Sequence, residues 1–163
     1  MEEEGRSRLG EVKRVMVAID ESDRSLDALE WTLKFLGHSI ANFEIVVFTA
    51  QPSSAFDYVS AFESSLELKN NVEEHQKKTA NSVLEKARDI CTKYKVIPKT
   101  VTEVQDPKDA IREAVDKYNI QLLVVGSHGR GAIKRAFLGS VSNYCVHNVK
   151  CPVLVVKQQQ QHA

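Results

Sequence analysis

The residues best placed to do chemistry run from Val125 to Asn143, VGSHGRGAIKRAFLGSVSN. Glycines let a backbone approach a phosphate closely and turn its amides toward it. A helix starting near Ser140 would add unbonded N–H groups and a partial positive charge. Ser140 and Ser142 supply hydroxyls, while His128, Arg130, Lys134 and Arg135 make the segment basic. Every feature suits a polyanion. Two common phosphate loops are ruled out, however. Gly126 and Gly131 have Walker A spacing, but Ala132 and Ile133 stand where Lys and Ser/Thr are required. The dinucleotide fingerprint fails because Lys134 replaces the last glycine. The segment instead follows Gly-x2-Gly-x9-Gly-Ser, met by Gly126, Gly129, Gly139 and Ser140.

A second position of interest is Asp20, at the end of the apolar run RVMVAID. It could cap the following helix or touch a ligand, and the glycine segment favours contact. His128 beside Ser127 does not make a hydrolase, because no Gly-x-Ser-x-Gly elbow is present. His128 reads as a solvated loop histidine, and Asp106 as a helix cap rather than a magnesium ligand. No catalytic residue and no metal ligand is assigned.

The elements that must position these residues follow from hydrophobic pattern. Buried strands are expected at 14–20, 44–50, 120–125 and 152–157, with a more exposed one, KTVTEV, at 99–104. The first helix begins at Ser22 or Asp23. Leu26, Leu29, Leu33 and Leu36 form its stripe, widened by Ala28, Trp31 and Phe35, and it stops at Gly37. Residues 51–65 read as a long loop. The helix over 66–94 has a polar first half expected to project into solvent. Its second half buries Ala80, Val83, Leu84, Ala87, Ile90 and Cys91. Asp106-Pro107 opens a third helix, with Ala110, Ile111, Ala114, Val115 and Tyr118 inward. A short fourth spans 140–148, with Val141, Tyr144 and Cys145 inward. Five strands alternating with four helices predict an α/β fold, a five-stranded parallel sheet with helices on both faces. Ligands of such sheets sit beyond the strands' carboxyl ends, which singles out Asp20, Ala50, Asp106 and the stretch from Gly126.

Composition bounds the rest. The 163 residues are 42% hydrophobic and 27% charged, enough for one domain with a sizeable core. Lys+Arg and Asp+Glu both number 22, so the formal net charge is zero, which argues against a general nucleic-acid binder. No apolar run approaches the roughly 18–20 residues of a membrane span. Cys91, Cys145 and Cys151 lack zinc or disulfide spacing and read as free thiols of a reducing compartment. The acidic start has no apolar core and does not read as a secretory signal, so the chain is expected in the cytoplasm or nucleus. Residues 1–12 are expected to be flexible, residues 13–157 to form the domain, and the tail 158–163 to be disordered.

In order and spacing, VMVAIDES, the Asp-Pro helix start, VVGSHGRG, LGSVS and CPVLVVK resemble the universal stress protein family, in its nucleotide-binding branch. The long loop after the second strand is similar to that of plant members. The resemblance implies a Rossmann-like sheet of order 3-2-1-4-5 and an adenine nucleotide, ATP or AMP, as ligand, with Mg²⁺ accompanying ATP. It further implies that Ala18, Ile19 and Asp20 meet adenine and ribose, and that Ala50 and Val125 line the base pocket. Gly126, Ser127 and Gly129 would lie beside ribose and phosphate, with Arg130 a candidate phosphate contact. Gly139, Ser140, Val141 and Ser142 would hold the phosphates. The chain departs from the family's pattern at Ala18-Ile19 (commonly Pro-Thr), Thr49-Ala50 (often His-Val) and Gln105 (often Gly). A homodimer through Pro152–Lys157 is implied as well, with further protein partners unnamed. The expected function is a nucleotide-binding stress sensor or regulator. The alternatives are a slow ATP hydrolase and a nucleotide-independent dimeric interaction module.

Overall fold

The structure is a computed structural model that describes residues 13–38, 43–52, 66–128 and 138–158. The expected flexible segment 1–12, the expected disordered tail 158–163 except Gln158, and most of the loop 51–65 lie outside these residues. Strands β1 (Lys13–Ala18), β2 (Phe43–Gln51), β3 (Lys99–Val104), β4 (Leu122–Gly126) and β5 (Val153–Val156) alternate with four helices. These are α1 (Asp23–Leu36), α2 (Leu66–Lys93), α3 (Pro107–Lys117) and α4 (Ser140–Asn148). All strands are parallel, in the order β3-β2-β1-β4-β5. This is the α/β architecture and strand order expected.

The near-continuous apolar strands exist because both sheet faces are covered. Val15, Val17, Ile45, Val47 and Val124 point to one face, under α1 and α2. Met16, Val46, Phe48, Leu123 and Val125 point to the other, under α3 and α4. The chain therefore winds from β1 to β3 with helices on one face, then returns through β4 to β5 with helices on the other. The reversal falls between β1 and β4, where Ala18 is in register with Val125.

The helices begin and end for local reasons. Ser22 is the cap of α1, its hydroxyl accepting from Ser25 N at 3.3 Å. Asp106 caps α3, its carboxylate accepting from Lys108 N at 3.0 Å. Helices α2 and α3 end alike, with Lys95 (φ 56°) and Asn119 (φ 51°) in the left-handed region. Val96 N bonds Cys91 O at 3.0 Å, and Ile120 N bonds Val115 O at 3.0 Å, which closes both helices. The stripe on α1 is rotated from its expected position. Ser25, Ala28, Leu29, Thr32 and Leu33 are buried, whereas Phe35 is 53% exposed. Thr32 joins the core because its hydroxyl donates to Ala28 O at 2.8 Å and so carries no unmet polar atom inside. Among the described residues no helix is long and apolar enough to cross a membrane.

Candidate functional site

A cavity of about 880 Å³ opens beyond the carboxyl ends of β1, β2 and β4. Its position follows from the topology. Connections leave β1 and β4 toward opposite faces, which leaves a crevice at the reversal among the described residues. The floor is apolar, made by Ala18, Ile19, Phe48, Ala50 and Val125. Ile19 continues the sheet by one bond, donating from its N to Phe48 O at 2.8 Å.

Asp20 lines this crevice just past the end of β1. Its Oδ1 accepts from Ser22 N at 2.8 Å and from the Ser22 hydroxyl. Asp20 therefore holds the turn that presents Ser22 to α1, and it lines the cavity as well. The cap itself is Ser22. Asp20 is thus not the cap, and bracing Ser22 leaves it acceptor positions toward the cavity, because a carboxylate has about four.

The phosphate-type wall is the start of α4. Gly139 is its cap residue and makes no side-chain bond to the first turn. The opening amides of a helix have no intrahelical acceptors, so those of Ser140, Val141 and Ser142 depend on other partners. Gly139, Ser140, Val141 and Ser142 all line the cavity. Gly139 N is tied to Ser127 O at 2.7 Å, and Asn143 N closes the first helical bond to Gly139 O at 2.9 Å. The Ser142 hydroxyl differs from expectation. It donates to Ser127 O at 2.9 Å and Gly139 O at 3.1 Å, so its hydrogen is spent on the protein. Its contribution to the cavity is the shape of the wall.

Ser127 does not line the cavity, although it was expected among the ligand contacts. It is 6% exposed, and its N donates to Val156 O at 2.9 Å. With its carbonyl accepting from Gly139 and Ser142, it clamps the end of β4 to both β5 and α4. Gly126 lines the cavity and also has a packing reason to be glycine: a Cβ there would lie 3.3 Å from Arg24 O in the first turn of α1. Gly129, Arg130, Lys134 and Arg135 lie outside the described residues. His128 is half-buried on the cavity wall, its Nδ1 3.2 Å from Ser127 Oγ, rather than solvated.

The sequence pattern also missed a wall. The polar first half of α2 does not merely face solvent; His75, Gln76 and Thr79 border the cavity at the β2 end. Gln76 Nε2 donates to Pro52 O at 3.1 Å, just past β2. A polar helical stretch has no periodic signal that separates a cavity wall from a solvated face, so only the tertiary contact reveals it. Pro107 and Ile111, from the start of α3, complete that side. Among the described residues no group of three or more His, Cys, Asp or Glu could hold a metal ion.

A doubly wound parallel sheet with a crevice at its reversal defines a Rossmann-like α/β protein. The sequence model of the universal stress protein family matches residues 11–157, and the chain belongs to that family. It is 31% identical over 160 residues to a universal stress protein A-like protein of Arabidopsis thaliana, covering 91% of each chain. It is also similar to the crystal structure of a universal stress protein family protein from Arabidopsis thaliana with AMP bound. That likeness has a TM-score of 0.65 at 26% identity, covering 90% of this chain and 92% of the other. A universal stress protein in complex with cAMP is similar at TM-score 0.66 and 26% identity, covering 88% and 96%.

Proposed function

We propose that this protein binds an adenine nucleotide, ATP or AMP, in the crevice and acts as a stress-response sensor or regulator. The observation that carries the reading is the pairing of opposite chemistries across one cavity. An uncapped helix start stands on the β4 side, and an apolar floor runs toward β2. A phosphorylated, flat, mostly apolar-faced ligand matches both ends. The volume, about 880 Å³, falls within the range of small-molecule sites, about 300–1,000 Å³. The relatives with AMP and with cAMP bound support the same ligand class.

In this reading the amides of Ser140, Val141 and Ser142 meet the phosphates, where the helix dipole favours negative charge. Asp20 accepts from ribose hydroxyls. Ala18, Ile19, Ala50 and Val125 pack on the base, and Gly126 leaves room beside the sugar. Mg²⁺ would enter with ATP, carried by its phosphates. Binding would join the wall at α4 to the turn at Asp20 and change the surface around them, which a partner could read. Calorimetric titration with ATP, ADP and AMP tests the proposal. Saturable heat with a matching thermal shift is expected. No heat and no shift at millimolar nucleotide rules it out.

A homodimer through the last strand has support of its own. The sheet ends at β5, whose sequence VLVV is wholly apolar, with Val153, Leu154 and Val155 only half-buried. The opposite edge, β3, is guarded by Lys99 and Glu103. Unguarded edges invite pairing, and a second β5 would satisfy this one by two-fold symmetry. Sedimentation across micromolar concentrations should give the dimer mass; a monomer throughout contradicts the idea.

A further inference from the structure

Thr49 lies near the end of β2, after the apolar run Ile45–Phe48, and is 4% exposed. Among the described residues its hydroxyl has no hydrogen-bond partner. Burying a hydroxyl without a partner is costly, and valine would suit the strand as well without that cost. Gln76 Oε1 is unpartnered too, but it is sealed inside the protein. The Thr49 hydroxyl is not sealed, and Thr49 lines the cavity, so the surface the hydroxyl keeps opens there. A polar group so placed points to a donor or acceptor supplied by the cavity's occupant.

Position narrows what that occupant brings. Ile19 N donates to Phe48 O at 2.8 Å, so Thr49 stands beside the residue that precedes Asp20, on the strand further from α4. Strand neighbours lie about 4.8 Å apart, so the β2 and β4 ends of the crevice are separated by about 10 Å. A phosphate at α4 and a sugar at Asp20 therefore carry the base toward β2. Alternation along β2 turns Thr49 and Gln51 to the face under α2, whereas Ala50 faces α3. Gln51 is 8% exposed, with Nε2 donating to Thr102 Oγ1 at 3.3 Å, and Ala80 and Val83 of α2 also line the cavity. This wall offers a hydroxyl and an amide and no charge. It suits the neutral nitrogens of a base rather than a phosphate. We infer that Thr49 is a specificity-determining residue whose hydroxyl hydrogen-bonds the edge of the bound purine, at a ring nitrogen or the exocyclic amino group. This rests on the nucleotide reading above. It adds a discrimination that α4, Asp20 and the apolar floor do not provide, since a phosphate, a ribose and any flat ring satisfy those three. A site built to hydrogen-bond its ligand rejects the analogue lacking that group far better than an apolar pocket rejects a missing methylene.

Titration of the full chain with AMP and with benzimidazole riboside 5′-monophosphate, a nucleotide of similar shape whose larger ring is all carbon, tests the inference. Wild-type protein is expected to prefer AMP. Thr49→Val should lose AMP affinity by about fivefold, the worth of about one hydrogen bond, with the analogue unchanged. Thr49→Ser, which keeps the hydroxyl, should retain the AMP preference. Without nucleotide, the urea midpoint of Thr49→Val should equal or exceed that of wild type, because no bond within the protein is lost. A lowered midpoint would show the hydroxyl serving the protein and would overturn the inference. Equal binding of AMP and the analogue by wild type, undiminished AMP binding by Thr49→Val, or a loss shared equally by both nucleotides would overturn it while the nucleotide site stood. Wild type that binds neither nucleotide would remove the nucleotide reading itself.

Discussion

The serines at the α4 start divide labour in a way that residue type alone does not reveal. Ser142 is buried and its hydroxyl holds Ser127 O and Gly139 O together, whereas Ser140 is exposed on the cavity wall. Ser142→Ala should therefore lower unfolding stability by about 1 kcal/mol in a urea titration, the usual worth of one internal hydrogen bond. Ser140→Ala should leave the urea midpoint nearly unchanged and weaken nucleotide binding. The cysteines divide similarly. Burial pushes the Cys91 and Cys145 thiols up to about 11, with Cys151 adding to the effect on Cys145. In the unfolded chain thiols titrate near about 8.5. Between those values the unfolded chain releases protons that the folded one keeps. Stability that is fully present below about pH 8.5 should thus decline as pH rises toward about 11. Urea midpoints from pH 7 to pH 10.5 would show the fall. With a thiol-reactive dye at pH 8, half-buried Cys151 should react first. Cys91 and Cys145, both 0% exposed, should react only as the fold opens.

At the scale of elements, α2 and α3 end by the same device. Lys95 and Asn119 adopt a left-handed backbone that strains any residue with a Cβ, though asparagine tolerates it better. Lys95→Gly should relieve that strain and raise stability by about 0.5–1 kcal/mol, less the backbone entropy glycine loses on folding. Asn119→Gly should gain less. Differential scanning calorimetry would rank the two. The caps were legible in the sequence, because Ser22 and Asp106-Pro107 carry their own bonding groups. The rotation of α1 was not. Phe35 completes an apolar stripe on paper, yet it stacks on Trp31 with ring centroids 5.1 Å apart at the protein surface, while Ser25 and Thr32 are buried. Small polar residues can enter a core once the helix backbone accepts their hydrogen bonds, and a hydrophobicity pattern does not register that.

At the scale of the molecule, the crevice and the core share residues. Phe48 is 1% exposed, packs under α3 and still contributes to the cavity floor. Phe48→Ala should cost about 3–5 kcal/mol of stability, as removal of a buried aromatic ring does, and should enlarge the site. A thermal melt would register the first effect. A loss of nucleotide affinity larger than that of Ala50→Gly would register the second. The comparison separates a floor that supports the ligand from one that only borders it.

The sequence by itself determined the element order, the parallel sheet and, at the crevice, Gly126 and the helix start Gly139–Ser142. Such features are written in local terms: apolar runs, caps, glycines and their spacing. Only the tertiary structure decided which polar groups face inward. It committed the Ser142 hydroxyl to the protein, hid Ser127 behind the wall, and brought Gln76 from α2 to the β2 end of the crevice. Those outcomes depend on how two helices approach one sheet, a relation between segments distant in the chain, and no local pattern carries it.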